Sequence, residues 1–169
     1  LTINAYPDAG FAGMFGHEKP TDPACAKSRS GFVIVFAGVP VLWQSKLQTQ
    51  TALSTMEAKV IALGACMKEL IPIMDMVQSL AVAVGIPAGD VNMRVSVHED
   101  NSGALVLAET LPPQFTPRSK YYATKTIWFR EEINRRGIKL LKIETSEQLG
   151  DMFTKGLAKP AFEYLRSKI

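Results

Sequence analysis

The chain has 169 residues, 47% of them hydrophobic, which suits one domain with a substantial core. Its 19 basic and 16 acidic side chains leave a formal charge of +3, mildly basic, which permits contact with nucleic acid without requiring it. Two cysteines, Cys25 and Cys66, lack metal-thiolate spacing and no apolar run reaches the length of a membrane span, so a zinc module and a membrane-spanning chain are excluded and a reduced, intracellular setting is expected.

Residues 2–7 read as a short strand that stops at Asp8. Residues 9–29 are rich in Gly, Pro, Asp and Lys and read as loop. Residues 31–38 and 39–46 look like two strands joined by an Ala-Gly turn. From 54 to 84, Met56, Val60, Leu63, Met67, Leu70, Met74 and Val77 recur at helical spacing, with Pro72 expected to bend or divide the helix. A break at 85–90 leads to a strand over 91–99 and a short helix over 101–109. After a loop at 111–117, Arg118 to Arg136 reads as a helix ending at Gly137 with basic residues in its last turn. Residues 138–144 make a fifth strand, and 146–155 and 160–168 two short helices separated by Pro160. Three successive strands suggest an antiparallel meander, and later strands arriving through helices should lie parallel to a neighbour. The expectation is one mixed-sheet α/β domain over 1–169, cut from a longer polypeptide because it opens on Leu1 inside a strand. Ligands of such sheets bind where the strand order reverses, outside the carboxyl ends.

Two acids stand at strand ends of that kind, Asp8 and Asp100. Glu57 lies in the first turn of the long helix and Asp151 near the start of a C-terminal one. Four acids from four elements could converge on hard divalent cations, which prefer oxygen and support two-metal phosphodiester cleavage. Each also has an ordinary reading. Ser54 and Glu57 form a capping box, Asp151 suits a helix dipole, and Asp8 before Ala-Gly suits a turn.

Five runs, "YPDAGFAG" (6–13), "SRSGFVIVFAGVPVLWQSKLQTQTALSTMEAKVIAL" (28–63), "HEDNSGALVLA" (98–108), "RSKYYATKTIWFREEI" (118–133) and "EQLGDMFTKGL" (147–157), resemble in order the ribonuclease H domain of copia-type LTR retrotransposons. The resemblance implies a ribonuclease H-like fold, a five-stranded mixed sheet of order 3-2-1-4-5 flanked by helices. It implies cleavage of the RNA strand of RNA/DNA hybrids by two Mg²⁺ ions, with Mn²⁺ as a substitute, leaving 3′-hydroxyl and 5′-phosphate ends. By motif, Asp8, Glu57, Asp100 and Asp151 become the catalytic and metal-binding acids, with Asp8 and Asp100 the most central. Glu57 would hold the ion nearer the leaving side, and Asp151 the water-activating ion. Implied partners are the hybrid and the reverse transcriptase domain of the same polyprotein, in a cytoplasmic virus-like particle. Members commonly read Glu-Ala-Glu where this chain has Glu57-Ala58-Lys59. Helical phase leaves both positions flanking the apolar stripe, and the cap favours Glu57. Many members also carry His where this chain has Tyr121 and Ile127. The alternative reading is a catalytically weakened domain that binds or tethers hybrid.

For the substrate, the resemblance puts Ser28, Arg29, Ser30 and Gly31 beside the RNA strand, where an ordinary turn is the bland alternative. Asn101 could donate to a sugar hydroxyl or cap the next helix. Ser54 stands at a helix N-terminus that can attract a phosphate. Arg118 and Lys120, with Lys125, form a basic stretch that could follow the DNA backbone. Glu99, on the opposite face of an alternating strand from Asp100, reads as a bystander. His98 reads as a neutral structural histidine, Cys25 as an exposed loop thiol, and Met67, Met74 and Met76 as core.

Overall fold

Alternating apolar residues and one long amphipathic helix build a sheet covered on both faces. The computed structural model describes residues 1–13, 16, 19, 21–109 and 120–169, without the side chains of 106–109 and 120–125. The strands are β1 (Thr2–Gly10), β2 (Arg29–Phe36), β3 (Val39–Leu47), β4 (Arg94–Glu99) and β5 (Lys139–Lys142). The helices are α1 (Thr55–Ala83), α2 (Ser102–Glu109), α3 (Lys120–Arg136) and α4 (Lys159–Arg166), with a short 3₁₀ turn over Leu149–Phe153. The five strands form one sheet in the order β3-β2-β1-β4-β5. β1, β2 and β3 are antiparallel, and β4 runs parallel to both β1 and β5. This is the mixed sheet expected from the element order.

The hairpin between β2 and β3 turns through Ala37 and Gly38, both at positive φ (50° and 84°), the pairing a two-residue turn between twisted strands requires. On one face Ile3, Ala5, Ile34, Val95 and Val97 pack against Val60, Leu63, Met67, Leu70, Met74 and Val77 of α1. Every member of the helical stripe is buried except Met56, which is 40% exposed. α1 continues through Pro72 as one helix, so the expected division does not occur. Packing of the apolar stripe on the sheet outweighs the hydrogen bond that proline cannot donate. On the other face Val33 and Val35 meet Leu149 and Leu165, with Tyr6, Met152 and Phe153 around them.

β1 is longer than expected and carries Asp8 inside the ladder, opposite Gly31 of β2, rather than at its end. An aspartate survives mid-strand here because its carboxylate has buried partners, described below. Cys25 is also a correction: it is buried, 6% exposed, in the turn Pro23–Ala26. Both cysteines are free thiols.

Candidate active site

The register of β1 on β4 sets Ala5 opposite Val97. Carried three residues further, it brings Asp8 level with Asp100, just past the carboxyl end of β4 and of its parallel pairing with β1. β1 is where the order reverses, with an antiparallel strand on one side and a parallel one on the other. The third acid is delivered by the Leu149–Phe153 turn, which lies directly on β1. Gly150 permits that approach, since a Cβ there would stand 2.6 Å from the Tyr6 carbonyl oxygen. Gln148, fully buried, ties the turn to both strands. Its Nε2 donates to the carbonyls of Pro7 (3.2 Å) and His98 (3.0 Å), and its Oε1 accepts from the Gly150 amide (3.1 Å). The result is a cluster in which oxygens of Asp8, Asp100 and Asp151 all lie within 4.8 Å of one another, close enough to share one cation.

Glu57 is not in that cluster. Its Oε2 accepts from the Leu53 amide at 2.9 Å while its own amide donates to Ser54 Oγ at 3.1 Å, so the side chain serves the cap of α1. Glu57 is half-buried in the first turn of α1, in the place a capping-box glutamate takes.

Lys59 takes the interior position instead. It is 5% exposed, and its Nζ donates to Asp8 Oδ1 (2.7 Å) and to Asp100 Oδ1, with Glu99 Oε1 at 3.7 Å. Burial works against its charge, but Asp8 and Glu99, with the hydrogen bonds to Asp100 and Asp8, hold the ammonium above the usual lysine range. Burial would likewise raise Asp8, yet Lys59, the Thr154 hydroxyl and Lys155 hold it below the usual carboxylate range. Thr154 Oγ1 donates to Asp8 Oδ2. Asp100 also accepts from Thr145 Oγ1 (3.2 Å). Lys155 Nζ donates to Asp151 Oδ1 at 2.7 Å and stands 3.7 Å from Asp8. Burial pushes Asp151 up to about 6 against the pull of Lys155.

Glu99 is no solvated bystander. It is fully buried on the α1 side of β4, and burial pushes its carboxyl up to about 8 despite Lys59. Oε1 accepts from the Asn101 amide (3.0 Å), while Oε2 is buried without a hydrogen-bond partner. His98 does read as structural: its ring stacks on Tyr6 at 4.6 Å, its Nε2 lies 3.2 Å from Asn4 Oδ1, and burial lowers its pKa.

Several residues expected at the substrate have partners within the fold. Ser28 is fully buried and its hydroxyl accepts from the Ala12 amide (3.2 Å). Ser30, 5% exposed, accepts from Gln48 Nε2 (2.8 Å). Gly31 backs onto Phe153 and Thr154, where a Cβ would meet side-chain atoms at 2.7 Å. The hydroxyls of Ser28 and Ser30 are thus both engaged inside the fold. Asn101 Oδ1 accepts from the Ala104 amide (3.0 Å), capping α2, and Ser54 caps α1. Arg29 is half-buried, reaches Ser45 Oγ (3.2 Å) and lines an open cleft of about 580 Å³ with Lys27, Lys155 and Phe153. A second cleft of about 410 Å³ includes Lys46, Lys68, Gln48 and Trp128, and Leu47 borders both. Arg118, the Lys120, Tyr121 and Lys125 side chains and His17 lie outside the described residues.

Helical phase did not mark the interior place of Lys59: position 57 stands three and seven residues before buried Val60 and Gly64, as position 59 stands four and seven before buried Leu63 and Cys66. Gln148 and Thr154 carried no mark either.

Strand order, parallel acids and covering helices together define a ribonuclease H fold. Solved structures with this fold include LC11-RNase H1 in complex with RNA/DNA hybrid, with TM-score 0.59 and 16% identity, covering 90% of this chain and 93% of that one. Another is the N-terminal RNase H domain of Rv2228c from Mycobacterium tuberculosis, with TM-score 0.55 and 12% identity, covering 99% and 97%. No protein-family model matches the chain. Its homologues are retrovirus-related Pol polyproteins of plant transposons, as the motifs led one to expect. That from transposon TNT 1-94 of Nicotiana tabacum is 30% identical over 167 residues, covering 99% of this chain and 11% of the relative. That from transposon RE1 of Arabidopsis thaliana is 27% identical over 169 residues, covering 100% and 10%. The chain thus spans about a tenth of the length of these relatives.

Proposed function

We propose that this chain is the ribonuclease H module of a transposon Pol polyprotein and that it binds RNA/DNA hybrid without cleaving it efficiently. The fold supports the first part, as do the homologues and the hybrid held by a neighbour of the same fold. Lys27, Arg29, Lys46, Lys68 and Lys155 along two adjoining clefts suit the phosphates of a nucleic acid. Its setting is the polyprotein, beside the reverse transcriptase domain and within a cytoplasmic particle. Among the described residues, no helix is long and apolar enough to cross a membrane.

Full two-metal hydrolysis is the rival reading, and the carboxylate trio is in its favour. Oxygen donors of this kind suit Mg²⁺ or Mn²⁺. The single observation against it is the Lys59 ammonium, hydrogen-bonded to both Asp8 and Asp100 where a bridging ion would need their oxygens. A protonated lysine has no lone pair to offer a metal and repels it. Among the described residues the cation-holding group is the trio alone, since Glu57 serves the helix cap and Glu99 stands 3.7 Å from the Lys59 ammonium. The residues present therefore do not fit a bound pair of divalent ions, and the domain is read as catalytically weakened.

The test is to incubate labelled RNA/DNA hybrid, double-stranded RNA and double-stranded DNA with the protein in Mg²⁺ or Mn²⁺. Salt-sensitive retention of hybrid with its RNA intact is the expected result. Efficient cleavage of the hybrid's RNA would return the hydrolytic reading, and failure to retain hybrid would remove both.

A further inference from the structure

The carboxylate cluster needs a cation, and the chain contains one. Asp8 is fully buried, as is Glu99 beneath it, and Asp151 is 5% exposed. Carboxylates this enclosed are stable only with a positive partner or a proton. Two lysines enter the cluster, and their exposure separates them. The Lys155 side chain is 36% exposed, so it can swing into the cleft and release Asp151. The Lys59 side chain is 6% exposed, comes from the buried face of α1, and has three acids around its ammonium. Its ammonium is held inside by Asp8 of β1 and by Glu99 and Asp100 at the end of β4. We infer that Lys59 is a tethered counter-ion: its ammonium occupies the coordination space between Asp8 and Asp100 and shuts divalent cations out of the cluster. This deepens the proposed function, on which it rests for the identity of the site, and adds that the fold's charge balance is independent of metal.

Uptake of Mn²⁺ tests this without any reference to catalysis. Mn²⁺ binding is followed by electron paramagnetic resonance, and thermal melting is recorded in EDTA and in millimolar MnCl₂ or MgCl₂. The wild-type chain should show no saturable Mn²⁺ uptake in the cluster and the same melting temperature in all three solutions. Lys59→Gln, which replaces the ammonium by a shorter, neutral amide, should melt lower in EDTA and recover in Mn²⁺. Its affinity for Mn²⁺ should exceed that of the wild type by about a hundredfold or more, since a like charge at contact distance is gone. Lys59→Glu, adding an oxygen donor, should bind more tightly still. If either variant is unfolded in EDTA, folding on addition of Mn²⁺ is the same positive result.

The inference is overturned if the wild type takes up Mn²⁺ as tightly as Lys59→Gln, or if neither variant responds to Mn²⁺ in any state. Hybrid retention by the wild type in EDTA is measured in parallel. Mn²⁺ uptake by a wild type that still holds hybrid uncut defeats this inference and leaves the proposed function standing. Loss of hybrid binding with Mn²⁺ still excluded defeats the proposed function and leaves the inference.

Discussion

Glu99 stores a pH dependence in a residue that touches no solvent. An unfolded glutamate titrates near 4.5, while burial raises this one to about 8 in the folded chain. Between those values the folded state keeps a proton that the unfolded state has released. The contribution of Glu99 is therefore present in full below about 4.5 and lost as pH rises through 8, at up to about 1.4 kcal/mol per pH unit. Asp8, held low by Lys59 and Thr154, acts in the opposite sense, and its contribution is lost only as pH falls below the usual carboxylate range. Denaturant midpoints measured from about pH 6.5, above the range where Asp151 titrates, to about pH 9 should fall with rising pH in the wild type and flatten in Glu99→Gln; a variant that keeps the slope would show that the proton sits elsewhere. Glu57 gives the contrasting case. Because its carboxylate serves the Leu53 amide, Glu57→Gln should cost at most about 1 kcal/mol and leave hybrid retention unchanged. A large loss of hybrid binding in that variant would place Glu57 in the site after all.

At the scale of elements, the site depends on how three pieces of chain are pressed together. α1 carries Lys59 into the cluster only if its first turn is held, and Ser54 Oγ accepting from the Glu57 amide is what holds it. Ser54→Ala should lower stability by about 1 kcal/mol. Hydrogen exchange should show the loss concentrated in the first turn of α1, with Lys59 one turn inside it. The C-terminal turn approaches β2 across Gly31 as closely as it approaches β1 across Gly150. An alanine at 31 would set a Cβ 2.7 Å from Phe153 Cβ and Thr154 Cγ2, forcing back the residue whose hydroxyl holds Asp8. Gly31→Ala should destabilise by about 1–3 kcal/mol, read from chemical denaturation, with no contact to nucleic acid involved. Reduced hybrid binding at unchanged stability would reverse that assignment and return Gly31 to the substrate surface.

Lys27, Arg29, Lys46, Lys68 and Lys155 border two clefts that share Leu47, with Glu69 the acid among their lining, apart from the enclosed carboxylates of Asp8, Glu99, Asp100 and Asp151. Such a separation makes nucleic-acid binding electrostatic and weakly selective for sequence. Hybrid affinity should fall steeply between about 50 and 200 mM salt. Arg29→Ala and Lys68→Ala should each reduce the slope of log affinity against log salt by about one phosphate contact. Neither side chain enters the carboxylate cluster, so melting temperature should stay close to wild type. Salt-independent binding would point to a different surface.

Much of this was decided by sequence alone. The alternation in β1 and β4, the unbroken apolar run of β2 buried on both faces, and the spacing of Val60, Leu63, Met67, Leu70, Met74 and Val77 fix element types, because burial on one face imposes a period of two or about 3.6 and burial on both removes the alternation. The motif runs carried strand order and the trio Asp8, Asp100 and Asp151. What the sequence left open was which residue of Glu57-Ala58-Lys59 enters the cluster. That choice depends on how α1 is rotated against β1 and β4, a matter of packing between elements far apart in the chain. Once the helix is docked, Glu57 lies at the cap and Lys59 among the acids, so a residue that read as a departure in a motif becomes the cation of the site.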